Sequence, residues 1–376
     1  MRQYLFASTF ALLAPVLVAQ AVHRVGPGQH ATIQSAIDVA APGDKIEVAA
    51  GVYPSFRVGK SLTIAAEPSA LVRVVTTSPI DLHLHPADRV HFAGLDIQAA
   101  AVNVRDGIIS MERCTVQTQT GVRLVGSTLA MRWSSAGASQ GSGVFLQDAH
   151  LHASDSSFST AAGGVEWIEQ AGVKLVGTSV CHLALCSLYG AWPATATHPW
   201  PSTGLLAATA TASATRIWLV DCFFVGGYQT GGMLGPALAV PSVAVPRARA
   251  NRCQATGPVI GALELGNVLG VHTPVDFQIG TTFTTRMLGE PGHPLLLYAG
   301  GEPQGVMWIP LVEQPALAFA GLTVLGAGFA NAQGVFDVPL TVPNNPTLRH
   351  LQIWWRGLDL LQTPWQSTPA FVTIVQ

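Results

Sequence analysis

Residues able to do polar chemistry are sparse in this 376-residue chain, where only 11% of positions are charged. Two carboxylate pairs have spacings worth testing, Asp106 with Asp148 and Asp155 with Asp221. Two H-x-H pairs, His83/His85 and His150/His152, each place both rings on one face if the backbone is extended. Arg247 and Arg249 share a face in the same way. Five cysteines (Cys114, Cys181, Cys186, Cys222 and Cys253) show no C-x-x-C spacing, so neither a zinc site nor a dithiol redox motif is indicated. Tyr189, Trp192 and Trp200 form an aromatic group among prolines, the type of surface that stacks on a sugar ring.

What these residues can do depends on the scaffold beneath them. From residue 88 a repeat runs through VHFAGLDI, IISMERCTV, LAMRWSSA, LHASDSSF, VKLVGTSV and IWLVDCFF. Its second apolar positions are Phe92, Met111, Met131, Ala153, Leu175 and Leu219, with steps of 19, 20, 22, 22 and 44, the last equal to two steps of 22. A period near 20 is that of a stacked β-coil, in which alternate residues point inward and repeat about 4.8 Å above and below. The same register aligns Leu95, Cys114, Ser134, Ser156, Thr178, Cys222 and Cys253 as small interior residues. A bond between Cys222 and Cys253, or locally between Cys181 and Cys186, is compatible with these positions, but the odd count and chain length argue against a disulfide scaffold.

A stack of coils leaves apolar core open at its end and requires a cap. Ile33, Ala36, Ile37 and Ala40 make the apolar stripe of a short helix, with Thr32 as N-cap and Pro42-Gly43 as its stop. Strands follow at Ile46/Val48 and Leu62/Ile64. The run ATIQSAIDVAAPGDKIEVAAGVYPSFRVGKSLTIAAEP resembles the N-terminal opening of the pectin-lyase-like superfamily, the right-handed parallel β-helix fold of pectate lyases and pectinesterases. The resemblance implies that fold. It does not fix an activity, because exported β-helix proteins without catalysis share the same opening. Where pectinesterases carry an acidic residue after the G-x-Y corner, this chain has Pro54-Ser55.

On such a scaffold the carboxylates are poorly placed for catalysis. A lyase-type calcium site needs oxygens about 2.4 Å from the ion, hence ligands in adjacent coils. The repeat puts Asp155 and Asp221 three coils apart, roughly 14 Å, and Asp106 and Asp148 two coils apart around Gly126. Asp106 and Asp148, beside Arg105, just reach the separation of about 5–9.5 Å used by glycosidases. Corner-forming roles are the simpler expectation. The histidine pairs fall about three coils apart and read as solvated or turn-packed. No catalytic residue, metal site or cofactor is therefore assigned.

Near residue 263 the pattern changes to short strands: VDFQIG, LLLYAG, VMWIPL, LTVLG, GVFDVPLTV, LRHLQIWW and FVTIVQ. This density predicts a β-sandwich with Trp308, Trp354, Trp355 and Trp365 filling its core and rim. The ending VPLTVPNNPTLRHLQIWW is similar to C-terminal sandwich modules of exported bacterial proteins.

Residues 1–21 have the charge, apolar run and Ala19-Gln20-Ala21 site of a secretory signal peptide. The expected organisation is thus signal peptide 1–21, β-helix 22–262 and β-sandwich 263–376, in an all-β protein located in the cell envelope or outside the cell. A net charge of −2 gives no basic field for nucleic acid or anionic lipid, and no membrane span is expected after signal cleavage. The leading expectation is non-catalytic binding of a polysaccharide at Tyr189, Trp192 and Trp200. The rivals are a polysaccharide lyase or glycoside hydrolase, and a purely structural surface protein.

Overall fold

The structure is a computed structural model. It describes residues 21–160, 170–191, 203–210, 216–227, 236–240, 247–251, 253–257, 259–261, 264–265, 270–272, 278–300, 303–307, 316–319, 323–346, 352–361, 366–367 and 371–374. The expected signal peptide, up to residue 20, lies outside them.

The cap forms where the apolar stripe predicts it. The helix Ile33–Val39 buries Ile33, Ala36 and Ile37, and starts in a capping box. The Ser35 amide donates to Thr32 Oγ1 at 3.1 Å and the Thr32 amide donates to Ser35 Oγ at 3.3 Å. Two of the helix's otherwise orphaned N–H groups are satisfied in this way. Beside it, Asp44 accepts from the amides of Ala21 and Ala41 and from the His23 ring.

From this cap the chain winds into a parallel β-helix. Each coil contributes one strand to each of three sheets of eleven, nine and nine strands among the described residues. The first sheet runs from Val22–Val25 to Glu264–Leu265, the second from Gly51–Tyr53 to Gln254–Thr256, and the third from Arg57–Val58 to Val259–Gly261. Inward rows of Ile46, Ile64, Phe92, Met111, Met131, Ala153 and Leu183 line the first sheet. With Val116, Phe158, Leu124 and Leu146 from the other two they merge into one continuous core.

The steps of 19, 20 and 22 hold from Phe92 to Ala153. Leu175 does not continue the row. It belongs to the third sheet, paired with Leu146 and Ala207, and the next first-sheet rung is Leu183, 30 residues after Ala153. Leu219 follows 36 residues later. The uniform 22-residue period fails there because those coils are longer at the corner between the second and third sheets, and the strand Ala171–Gly177 has the same apolar alternation as a first-sheet strand. Cys186 therefore replaces Thr178 in the stack of small interior residues, between Ser156 and Cys222.

That stack has a structural reason. Six successive coils, from the strand Arg89–Ala93 to Arg216–Val220, pass from the first to the second sheet through a residue at positive φ: Gly94, Arg113, Trp133, Asp155, Leu185 or Asp221. Non-glycine residues pay about 1–2 kcal/mol for this conformation. The next residue offsets part of the cost by bonding across rungs, as the Cys114 amide donates to Ser134 Oγ and the Ser134 amide to Ser156 Oγ. All five cysteines are thiols.

The C-terminal part is antiparallel. Thr282–Leu288 pairs with Gly270–His272 and Val335–Thr341, while Pro294–Gly300 lies between Thr323–Phe329 and Gln352–Asp359. Met287, Leu295, Leu297, Val338 and Trp355 form its core, with Phe283 edge-on to Trp355 at 6.1 Å. Two details differ from expectation. Ile279–Gly280 of VDFQIG is a turn, and the strand Thr282–Leu288 replaces it, its period masked by Thr285, a polar residue that is fully buried. Trp308 and Trp365 lie outside the described residues. No helix among the described residues is long and apolar enough to cross a membrane.

The antiparallel region packs on the outer face of the first sheet. Phe371–Ile374 lies over Thr128–Arg132 and His150–Ser154, and Ala184 and Leu288 share a small buried cluster with Val180 and Val335. One of the three flanks of the β-helix is thereby covered.

Candidate functional site

The covered flank holds several buried polar and charged groups, among them His91, Ser110, Glu112, Arg132 and His182. Along its outward row, His91 Nδ1 meets Ser110 Oγ at 2.7 Å, and His152 stands edge-on to His182 at 5.0 Å. Burial, with Lys45 adding to it, lowers the His91 pKa to about 3. The His152 imidazole is held well below the ordinary range by burial, by His150 and by Arg356 of the antiparallel region. In the next row Arg132 stacks on the Trp133 ring at 3.7 Å. Its pKa is pushed down to about 9 by burial, against the pull of Glu112 and Asp155. His150 and His152 are thus half-buried on the covered flank rather than fully solvated, whereas His83 and His85 are exposed at a corner. His182, their true neighbour, escaped sequence reasoning because its rung was assigned to VKLVGTSV.

The carboxylates occupy corners. Asp106, Gly126, Asp148 and Gly177 follow one another in register, so the two aspartates are two rungs apart, as the repeat indicates. Asp148 accepts from the Thr178 amide at 2.8 Å and hydroxyl at 3.0 Å, and these bonds hold its carboxyl below the usual range. Asp155 and Asp221 are also two rungs apart, around Leu185, and not three. Among the described residues no group of three or more His, Cys, Asp or Glu side chains could hold a metal ion.

The other two flanks are chemically distinct from the covered one and from each other. On the third sheet, Asp81, Asn103, Arg123, Phe145 and Lys174 form an outward row. Asn103 donates to Asp81 at 2.9 Å, and the cations of Arg123 and Lys174 lie 5.3 and 6.0 Å from the Phe145 ring. The backbones of Arg247 and Arg249 lie on the first sheet, paired with Arg216 and Trp218.

On the second sheet, Gln98, Gln117, Gly137, Ser159 and Tyr189 succeed one another outward, one per rung. A parallel row runs Asp96, Thr115, Ser135, Ser157, Ser187 and Phe223. Between the first row and the neighbouring corner lies an open groove of about 730 Å³, with Gln98, Gln117, Gln119 and Ser159 in its lining and Val75 at one end. One rung beyond Ser159, Tyr189 is 39% exposed and meets the 36% exposed Phe223 edge-on at 6.5 Å. Tyr189 is therefore placed on the same flank as the groove. Trp192 and Trp200 lie outside the described residues. Sequence reasoning missed Gln98, Gln117 and Ser159, which are ordinary polar residues until register makes them a row.

Fold and flanks together define an all-β protein built on a parallel β-helix, with an antiparallel region docked on one sheet. No family model, curated protein or solved structure matches the chain.

Proposed function

We propose that this is an exported, non-catalytic β-helix protein of the pectin-lyase-like type that binds carbohydrate on its second-sheet flank. The observation that carries this reading is the groove of about 730 Å³ continued by the exposed Tyr189 and Phe223 rings. Amides and hydroxyls both donate and accept hydrogen bonds, as sugar hydroxyls do, and the adjacent aromatic face suits the apolar face of a sugar ring. Export is supported by the pattern of residues 1–21. The rival lyase reading needs carboxylates in adjacent rungs, whereas Asp155 and Asp221 are two rungs apart. The rival hydrolase reading would fall on Asp106 and Asp148, also two rungs apart, and Asp148 is engaged by the Thr178 amide and hydroxyl.

The test uses purified full chain against immobilised and soluble polysaccharides from plants and algae. Retention without release of reducing or unsaturated ends supports the proposal. Release of such ends overturns the non-catalytic reading, and failure to retain any polysaccharide overturns the binding reading. Amino-terminal sequencing of protein recovered outside the cytoplasm is expected to begin at Val22.

A further inference from the structure

Building on the carbohydrate-binding reading, we infer that the second-sheet groove takes a neutral, extended glycan lying along the coil axis, one sugar unit per rung, with its end against Tyr189. None of the residues lining the groove carries a charge. At its edge, Arg73 and Asp96 neutralise one another at 3.3 Å, and Gln98 adds a bond to the same Asp96 oxygen at 3.4 Å. A uronate or sulfated chain would bring anions onto a wall with no cation to receive them. Apart from the paired Arg73 at this edge, Arg123 and Lys174 stand on the third sheet.

The axial direction follows from the rows. Gln98, Gln117, Ser159 and Tyr189 present polar or aromatic groups at multiples of the rung spacing of about 4.8 Å, close to the rise of one pyranose unit in an extended chain. Gly137 interrupts the row for a physical reason. A Cβ there would come 2.5 Å from Gln117 Oε1 and 3.0 Å from both Gln117 Nε2 and Ser159 Oγ. The missing side chain lets the Gln117 amide lie across the sheet towards Ser159, forming a flat floor on which a sugar ring can rest.

The experiment is isothermal titration of the full chain with a length series of neutral β-linked oligosaccharides, and separately with oligogalacturonate. Neutral chains are expected to bind more tightly as they lengthen until the rungs from Gln98 to Tyr189 are occupied, and then no further. Gln117→Ala and Gly137→Val should each weaken binding about tenfold with unchanged circular dichroism, the loss of roughly one well-made polar contact. If Gly137→Val does not fold, Gln117→Ala decides the matter. Arg123→Ala should leave neutral-glycan binding unchanged. Binding of oligogalacturonate alone, abolished by Arg123→Ala, would overturn this inference and move the site off the second-sheet flank, yet leave intact the reading that the protein binds carbohydrate. Neutral-glycan affinity indifferent to Gln117→Ala would overturn the placement. Absence of binding to every glycan would overturn both readings.

Discussion

At the scale of single residues, burial dominates the chemistry. His91 takes up a proton only near pH 3, whereas an unfolded imidazole does so near 6.5. Above pH 6.5 both states are neutral and the site is indifferent to pH. Below it the unfolded chain binds protons that the folded chain refuses, so stability falls by up to about 1.4 kcal/mol per pH unit per such histidine. His150 and His152, lowered in the same direction, add to the slope. Urea melts between about pH 7 and about pH 4 should therefore show steep acid destabilisation beginning close to pH 6.5, and His91→Gln should flatten it. Burial acts oppositely on the thiols: it pushes Cys114 up to about 12 and raises Cys181 and Cys222. Alkylating reagents should leave these three unmodified in native protein and label them after denaturation. On the second-sheet flank, Tyr189→Ala is expected to weaken glycan retention roughly five- to tenfold, about 1 kcal/mol of ring stacking, as read by affinity electrophoresis.

At the scale of elements, legibility tracked how local the controlling interaction is. The capping helix was readable because Thr32, Ile33, Ala36 and Ile37 lie within one helical turn or so of each other and satisfy their own polar groups. The first-sheet row from Phe92 to Ala153 was readable because coils there have nearly equal length. Beyond Ala153, corner insertions changed the period, and Val173 and Leu175 of the third sheet mimic a first-sheet strand. That slip concealed His182 and Cys186 and put Asp155 one rung too far from Asp221. The groove was illegible for a related reason: Gln98, Gln117 and Ser159 are dispersed in sequence, and only correct pairing aligns them. Because each rung rests on its neighbours, a large cavity in one should loosen several. Phe92→Ala, at a fully buried position, is expected to cost about 3–5 kcal/mol and to raise hydrogen exchange in the strands at Leu62 and Ile108 first, measurable by mass spectrometry.

At the scale of the whole molecule, the three flanks divide the labour. The first is covered by the antiparallel region, the third bears Arg123, Phe145 and Lys174, and the second presents the neutral groove. The covering depends on small and apolar contacts such as Ala184 against Leu288. Ala184→Arg should force a charge into that contact and release the antiparallel region, seen as a larger radius of gyration in small-angle scattering and new proteolytic cuts after residue 265, with the coils still folded.

The amphipathic lid at Ile33–Val39 has a further consequence. Stacked coils present unpaired backbone at each end, the template on which identical columns would join into fibres. With Ile33, Ala36 and Ile37 seated on the core at one terminus, a second column could dock on the apolar core there only by displacing the helix.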